Sequence, residues 1–133
     1  MPHIIIEHSA NLTELTNLQA LVEAVHQTAL RSGLAEVSAL RTRAAPRCHY
    51  VIADDDRSYG FVAIYARMSP APSRDPEAIR KFLSDLINTV DEVLAPLRST
   101  NPVAISAEAQ MIDPDMRLNL NHIHSHLSES ENT

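Results

Sequence analysis

Positive charge is in short supply in this chain. Lysine and arginine total 11 against 17 aspartates and glutamates, a formal net charge of −6. A general nucleic-acid binder needs a basic face to neutralise phosphates, so the balance argues against that class. It leaves room for a local arginine cluster that holds a small anion. Tryptophan is absent and aromatic residues make up 4%, which removes the stacking platforms used for single strands. Cysteine occurs once, at Cys48. One thiol forms neither an intramolecular disulfide nor an all-cysteine metal site. No apolar run approaches the ~20 residues of a membrane-spanning helix. The N-terminus lacks the basic region and long apolar core of a secretory signal. The expectation is a soluble cytoplasmic protein without nucleic-acid or membrane partners.

What is present fits one domain. The chain has 133 residues and 44% hydrophobic content, an ordinary globular composition and enough to bury about two-thirds of its unfolded surface. The expected domain covers residues 1–127, and residues 128–133 read as a disordered tail.

The stretch that organises the rest is residues 1–7, Met-Pro-His-Ile-Ile-Ile-Glu. Methionine aminopeptidase usually removes Met1 when a small residue follows. Pro2 would then carry a free secondary amine. An ordinary α-amino group titrates near ~8, and desolvation lowers that value by disfavouring the charged form. A terminal proline beside an apolar core can therefore act as a base at neutral pH. The plain alternative is a structural Met-Pro start ahead of a strand.

Residues 3–8 read as a strand with apolar residues on both faces, which suits a sheet covered on both sides. Residues 15–32 carry apolar side chains at helical spacing. Thr16 with Gln19, or Asn11 with Glu14, offers a capping box, and Gly33 suits the C′ position. Residues 37–45 read as a second strand that places Arg41 and Arg43 on one face, closed by Pro46. Residues 48–53 read as a short strand, followed by a turn at Asp54, Asp55 and Asp56. Residues 59–68 read as a longer strand. Asp75 and Pro76 form a strong helix start, with the helix running to about residue 97. Residues 102–112 alternate as a last strand, and the chain beyond Met116 reads as irregular. The order predicts an α/β (α+β) fold. Two right-handed β-α-β units give a mixed four-stranded sheet with two helices on one face, plus a β-hairpin insertion. The other sheet face, read as apolar, calls for other subunits.

Three arginines stand out. Arg41 and Arg43 share a strand that should lie near the first one. Arg74 precedes a helix N-terminus, where an anion is favoured by the guanidinium and by free backbone amides together. The plain reading of each is a surface ion pair, of the common and weak kind.

Taken in order, these motifs resemble the 5-carboxymethyl-2-hydroxymuconate isomerase family of the tautomerase superfamily. The Met-Pro-His-Ile-Ile-Ile-Glu start, the Arg-x-Arg strand, the Tyr-Gly-Phe-Val strand and the Ser-Arg before the second long helix carry the likeness. So does the ending Ile-Ser-Ala-Glu, Asp-Pro and Asn-His-Ile-His. The resemblance implies a tautomerase-like homotrimer without cofactor or metal. It implies Pro2 as general base and Arg41 binding and polarising a substrate carboxylate or carbonyl. Arg74 would be a second anion contact and Arg43 a lesser one. The implied substrate is an unsaturated 2-hydroxy (di)carboxylic acid from aromatic-compound breakdown, or a pyruvate-like enol. A non-catalytic trimeric carboxylate-binding or assembly module is the alternative from another class.

Other candidates are weaker. His122, His124 and His126 would line one face of an extended tail and could hold a metal adventitiously. Cys48 reads as a small buried residue, since its neighbour His49 points the other way on a strand. Glu7 and Glu108 read as ion-pair partners for the arginines.

Overall fold

The computed structural model describes residues 2–70 and 75–131. Four strands form one sheet: β1 (His3–Ser9), β2 (Arg41–Arg47), β3 (Gly60–Met68) and β4 (Val103–Met111). Their spatial order is β2-β1-β3-β4. β1 runs parallel to β2 and antiparallel to β3, and β3 runs parallel to β4. This is the mixed sheet of two β-α-β units that the element order predicts.

The helices are α1 (Leu12–Leu15), α2 (Leu18–Arg31), α3 (Pro76–Val93) and α4 (His122–Glu131). The helix expected over residues 15–32 is broken near its start. Thr16 is extended, with φ −147° and ψ 161°. Asn17 therefore becomes the cap of α2, its side chain accepting the Ala20 N–H at 3.1 Å. The capping turn is thus neither of the two boxes suggested by the spacing. Gly33 does follow α2 in the left-handed region, with φ 77°, where the absence of Cβ removes the steric cost. Asp75 caps α3 by accepting the Glu77 N–H at 3.2 Å, and Pro76 opens the helix. The helix stops at Val93, short of residue 97. Pro96 has no N–H to give to Glu92, and a 3₁₀ turn, Ala95–Leu97, takes over.

β2 starts later than expected because the amides of Ala39 and Leu40 both donate to the Glu36 carbonyl at 3.0 Å. That turn keeps them out of the ladder. The strand then runs through Pro46, which an edge strand tolerates. The expected hairpin insertion and its strand over residues 48–53 are absent; residues 48–59 form a loop. Ala53 and Asp55 adopt positive φ, 48° and 67°, which extended pairing does not permit. Asp56 accepts both the N–H and the hydroxyl of Ser58, so the acidic turn satisfies itself locally. The tail read as irregular contains α4. Asn121 starts it by accepting the amides of Ile123 and His124, and donates to the Ser38 carbonyl at 2.9 Å.

Strand alternation puts Ile4, Ile6, Val62, Ile64, Ala66 and Met68 on the helix side, fully buried. Leu21, Val25 and Ala29 of α2 and Phe82, Leu86 and Val90 of α3 close the core over them. The opposite face differs from the apolar surface expected. Ile5, Phe61 and Ala63 lie there, half-buried, together with Arg41, Arg43, His3, Tyr65, Arg67 and Glu108. Among the described residues, no helix is long and apolar enough to cross a membrane.

Candidate active site

The register of the sheet assembles a row of basic side chains on its helix-free face. His3 lies beside Arg41 of β2 on one side and Arg67 of β3 on the other. Two positions along, Arg43 pairs with Ile5, and Ile5 with Tyr65. Arg117, after the 3₁₀ turn Pro114–Met116, adds a further guanidinium. One Arg41 nitrogen and one Arg117 nitrogen each lie 3.0 Å from His3 Nε2. An Arg43 nitrogen lies 3.4 Å from Nδ1.

Guanidinium groups only donate, and a neutral imidazole has one acceptor nitrogen. Both ring nitrogens of His3 face donors, so the ring cannot satisfy all three arginines. Partial burial, then the charges of Arg117, Arg41, Arg43 and Arg67, push the His3 pKa below its ordinary 6.5. The ring is accordingly neutral at neutral pH. Among the described residues, Arg41, Arg43 and Arg67 form no ion pair with a carboxylate. Arg47, by contrast, pairs with Glu7 at 2.6 Å and Arg98 with Asp91 at 2.7 Å. A chain with net negative charge thus concentrates cations at one end of its sheet, an arrangement suited to an anion.

Pro2 is buried and immediately precedes His3. The expected base and the first expected arginine therefore lie at the same end of the sheet. Arg41 is half-buried and Arg43 exposed. Arg74 lies outside the described residues. A cavity of about 150 Å³ opens beside the cluster, lined by His3, Arg67, Ile112, Met116 and Arg117.

The structure separates the remaining candidates from this site. His122, His124 and His126 sit on a helix instead of one face of an extended tail, and His124 Nδ1 lies 3.1 Å from the Ser38 hydroxyl. No group of three metal-binding side chains occurs among the described residues. Cys48 is exposed, not buried, because its segment is a loop. Glu7 pairs with Arg47, whereas Glu108 accepts a contact from Gln110 at 3.4 Å.

Sequence reasoning overlooked His3, Arg67 and Arg117. Arg67 has the strand parity of Tyr65, but only the antiparallel register brings it beside His3. Arg117 lies in a segment without periodicity, so no sequence signal places it here.

The fold defines the class. It is that of the tautomerase superfamily, shared with a fused 4-OT wild type symmetric trimer at a TM-score of 0.55 and 18% identity over 89% of this chain and 93% of that one. The family model for 5-carboxymethyl-2-hydroxymuconate isomerase matches residues 2–127, and the chain belongs to that family. It is an isomerase. A 5-carboxymethyl-2-hydroxymuconate Delta-isomerase of Escherichia coli is 25% identical over 126 residues, covering 94% of this chain and 98% of its own. The crystal structure of a 5-carboxymethyl-2-hydroxymuconate isomerase from Deinococcus radiodurans R1 superposes with a TM-score of 0.82. It is 23% identical, over 95% of this chain and 93% of that chain.

Proposed function

We propose that the chain isomerises an unsaturated 2-hydroxy (di)carboxylic acid without a cofactor, with Pro2 as general base and Arg41 as the group that holds the developing negative charge. The observation that carries this reading is the buried Pro2 directly before His3, against which the half-buried Arg41 and Arg117 both lie. Once Met1 is removed, the Pro2 nitrogen takes a proton from a dienol hydroxyl, or from carbon beside a carbonyl. It returns that proton elsewhere on the conjugated system. Arg41 stabilises charge on oxygen as the proton leaves, and such stabilisation is typically worth on the order of 2–4 kcal/mol. Arg43 and Arg74 serve as further anion contacts. The relatives' names point to a 5-carboxymethyl-2-hydroxymuconate-like substrate, which suits a role in cytoplasmic breakdown of aromatic compounds.

The same reading makes the protein a homotrimer. Trimers occur among the structures sharing its fold. Its C-terminal segment holds Met116, Leu118 and Leu120 at 83%, 99% and 80% exposure, an apolar arm suited to lying on a neighbouring copy.

The test is a spectrophotometric assay of the processed protein with a 2-hydroxymuconate-type dienol. The expected result is rapid loss of dienol absorbance, slowed in Pro2→Ala. A folded protein free of Met1 that leaves the dienol decaying at its buffer rate would overturn the proposal.

A further inference from the structure

We propose that His122 and His126 form a two-histidine site for a divalent transition metal such as zinc, and that the bound ion clamps the C-terminal helix α4.

The helix creates the pair. In an extended tail His122, His124 and His126 would share one face. In α4, His122–Glu131, residues four apart share a face instead, with Cβ atoms about 5–6 Å apart. His124 turns about 200° away from His122, and its Nδ1 lies 3.1 Å from the Ser38 hydroxyl. It lines a cavity of about 360 Å³ together with Glu36, Ser38 and Asn121. His122 and His126 are both exposed.

Imidazole suits zinc, with Zn–N bonds of about 2.0–2.1 Å. Two imidazoles one helical turn apart reach a common ion, the spacing used by the zinc helices of metalloproteases. No third metal-binding group joins them among the described residues. Water fills the other positions, so the site is weaker than a closed four-ligand one. The positive end of the helix dipole disfavours a cation at His122. The exposed Glu129, at i+3 from His126, offsets it by placing a negative charge on the same side of the helix. Other histidines are less suited. His8 is buried, His26 Nδ1 lies 2.9 Å from the Thr42 hydroxyl, and His3 stands among arginines whose charge repels a cation.

The ion has structural work to do here. A helix of 10 residues is marginal without packing. Asn121 and His124 tie α4 to Ser38 near its start. An ion held between successive turns binds only while the helix is formed, so binding stabilises the helix by mass action.

The test uses the full chain without an affinity tag, and zinc chloride titrated calorimetrically. The wild type should bind zinc, and magnesium, a hard cation that prefers oxygen ligands, should not compete. His122→Ala and His126→Ala should each weaken binding at least about tenfold, the low end of what losing even a ligand's hydrogen-bond partner costs a metal site. His124→Ala should leave the affinity nearly unchanged. Ser125→Pro keeps all three histidines but breaks the helix between the pair, and should lose binding as the single ligand variants do. In hydrogen exchange, zinc should slow the amides of α4 in the wild type and leave them unchanged in the double variant. No binding up to millimolar zinc would overturn the site. Affinity kept in the double variant would also do so, placing the metal elsewhere, as at the exposed Cys48 and His49. Equal losses in His122→Ala and His124→Ala, or full affinity in Ser125→Pro, would show an extended tail wrapping the ion and overturn the helical pair. Zinc that binds without slowing exchange in α4 would overturn the clamp.

Discussion

Arg117 reaches back across 114 positions of the chain to place a guanidinium nitrogen 3.0 Å from Nε2 of His3. The contact joins the segment after β4 to the first residue of β1, at the end of the sheet where Pro2 lies. After burial, the Arg117 charge is the next largest cause that lowers the pKa of the histidine.

The first prediction concerns that pKa. Burial and the charges of Arg117, Arg41, Arg43 and Arg67 hold the His3 pKa below 6.5. In a proton-carbon correlation titration, His3 should therefore titrate below 6.5. Between its folded value and 6.5 the unfolded chain binds more protons, so stability rises with pH across that window. The contribution is present above 6.5 and lost as pH falls through the folded value. An anion bound among the arginines offsets their charge, so adding adipate should raise the His3 pKa. A histidine that titrates at or above 6.5 in the free protein would contradict the cluster.

The two arginines of β2 should differ in their effect on catalysis. Arg41 is half-buried at the end of β1 that follows Pro2, whereas Arg43 is exposed and lies 3.4 Å from the far ring nitrogen. Arg41→Ala should lower kcat/KM by on the order of 2–4 kcal/mol. Arg43→Ala should cost about 1 kcal/mol or less, the usual value of an exposed charge contact. Equal small losses in steady-state assays would remove Arg41 from its proposed role.

Assembly has its own test. Leu118 and Leu120 are 99% and 80% exposed, and burying each against another copy would contribute about 1.5–3 kcal/mol. The wild type should scatter light as a trimer at micromolar concentration. Leu118→Asp combined with Leu120→Asp should shift it toward monomer while leaving the circular dichroism spectrum unchanged. A wild type that stays monomeric would reject the trimer.

The skeleton of the fold was legible because its signals are local. Alternation marked Ile4 and Ile6, helical spacing marked Leu21, Val25 and Ala29, and Asp75 with Pro76 marked the start of α3. What failed depended on competition between local choices. Asn17 displaced two plausible capping pairs because the chain extends at Thr16. Residues 48–53 have strand composition, yet the positive φ of Ala53 and Asp55 turns the chain away. The helix at His122–Glu131 has no apolar stripe to announce it. It is held by Asn121 and by contacts to Ser38. For the site, Pro2, Arg41 and Arg43 were readable from position and parity. His3, Arg67 and Arg117 were not, because their meeting depends on pairing register and on the path of the C-terminal arm.

The last prediction concerns the terminus. If the Pro2 amine is the base, activity requires that Met1 be absent. Replacing Pro2 with Ala keeps a primary amine after processing but changes its strength and position, so the rate should fall and not vanish. A variant that demonstrably retains Met1, confirmed by intact mass, should fold normally, because one extra terminal residue disturbs little of a core built from Ile4, Ile6 and their partners. Its activity should drop by about 10²–10⁴-fold, the usual contribution of a general base. The processed enzyme should show an ascending limb in kcat/KM against pH, below the ~8 of an ordinary terminal amine. Burial of Pro2 and the adjacent arginines both disfavour the protonated form. Full activity in a folded variant that keeps Met1 would end the Pro2 mechanism while leaving the fold untouched.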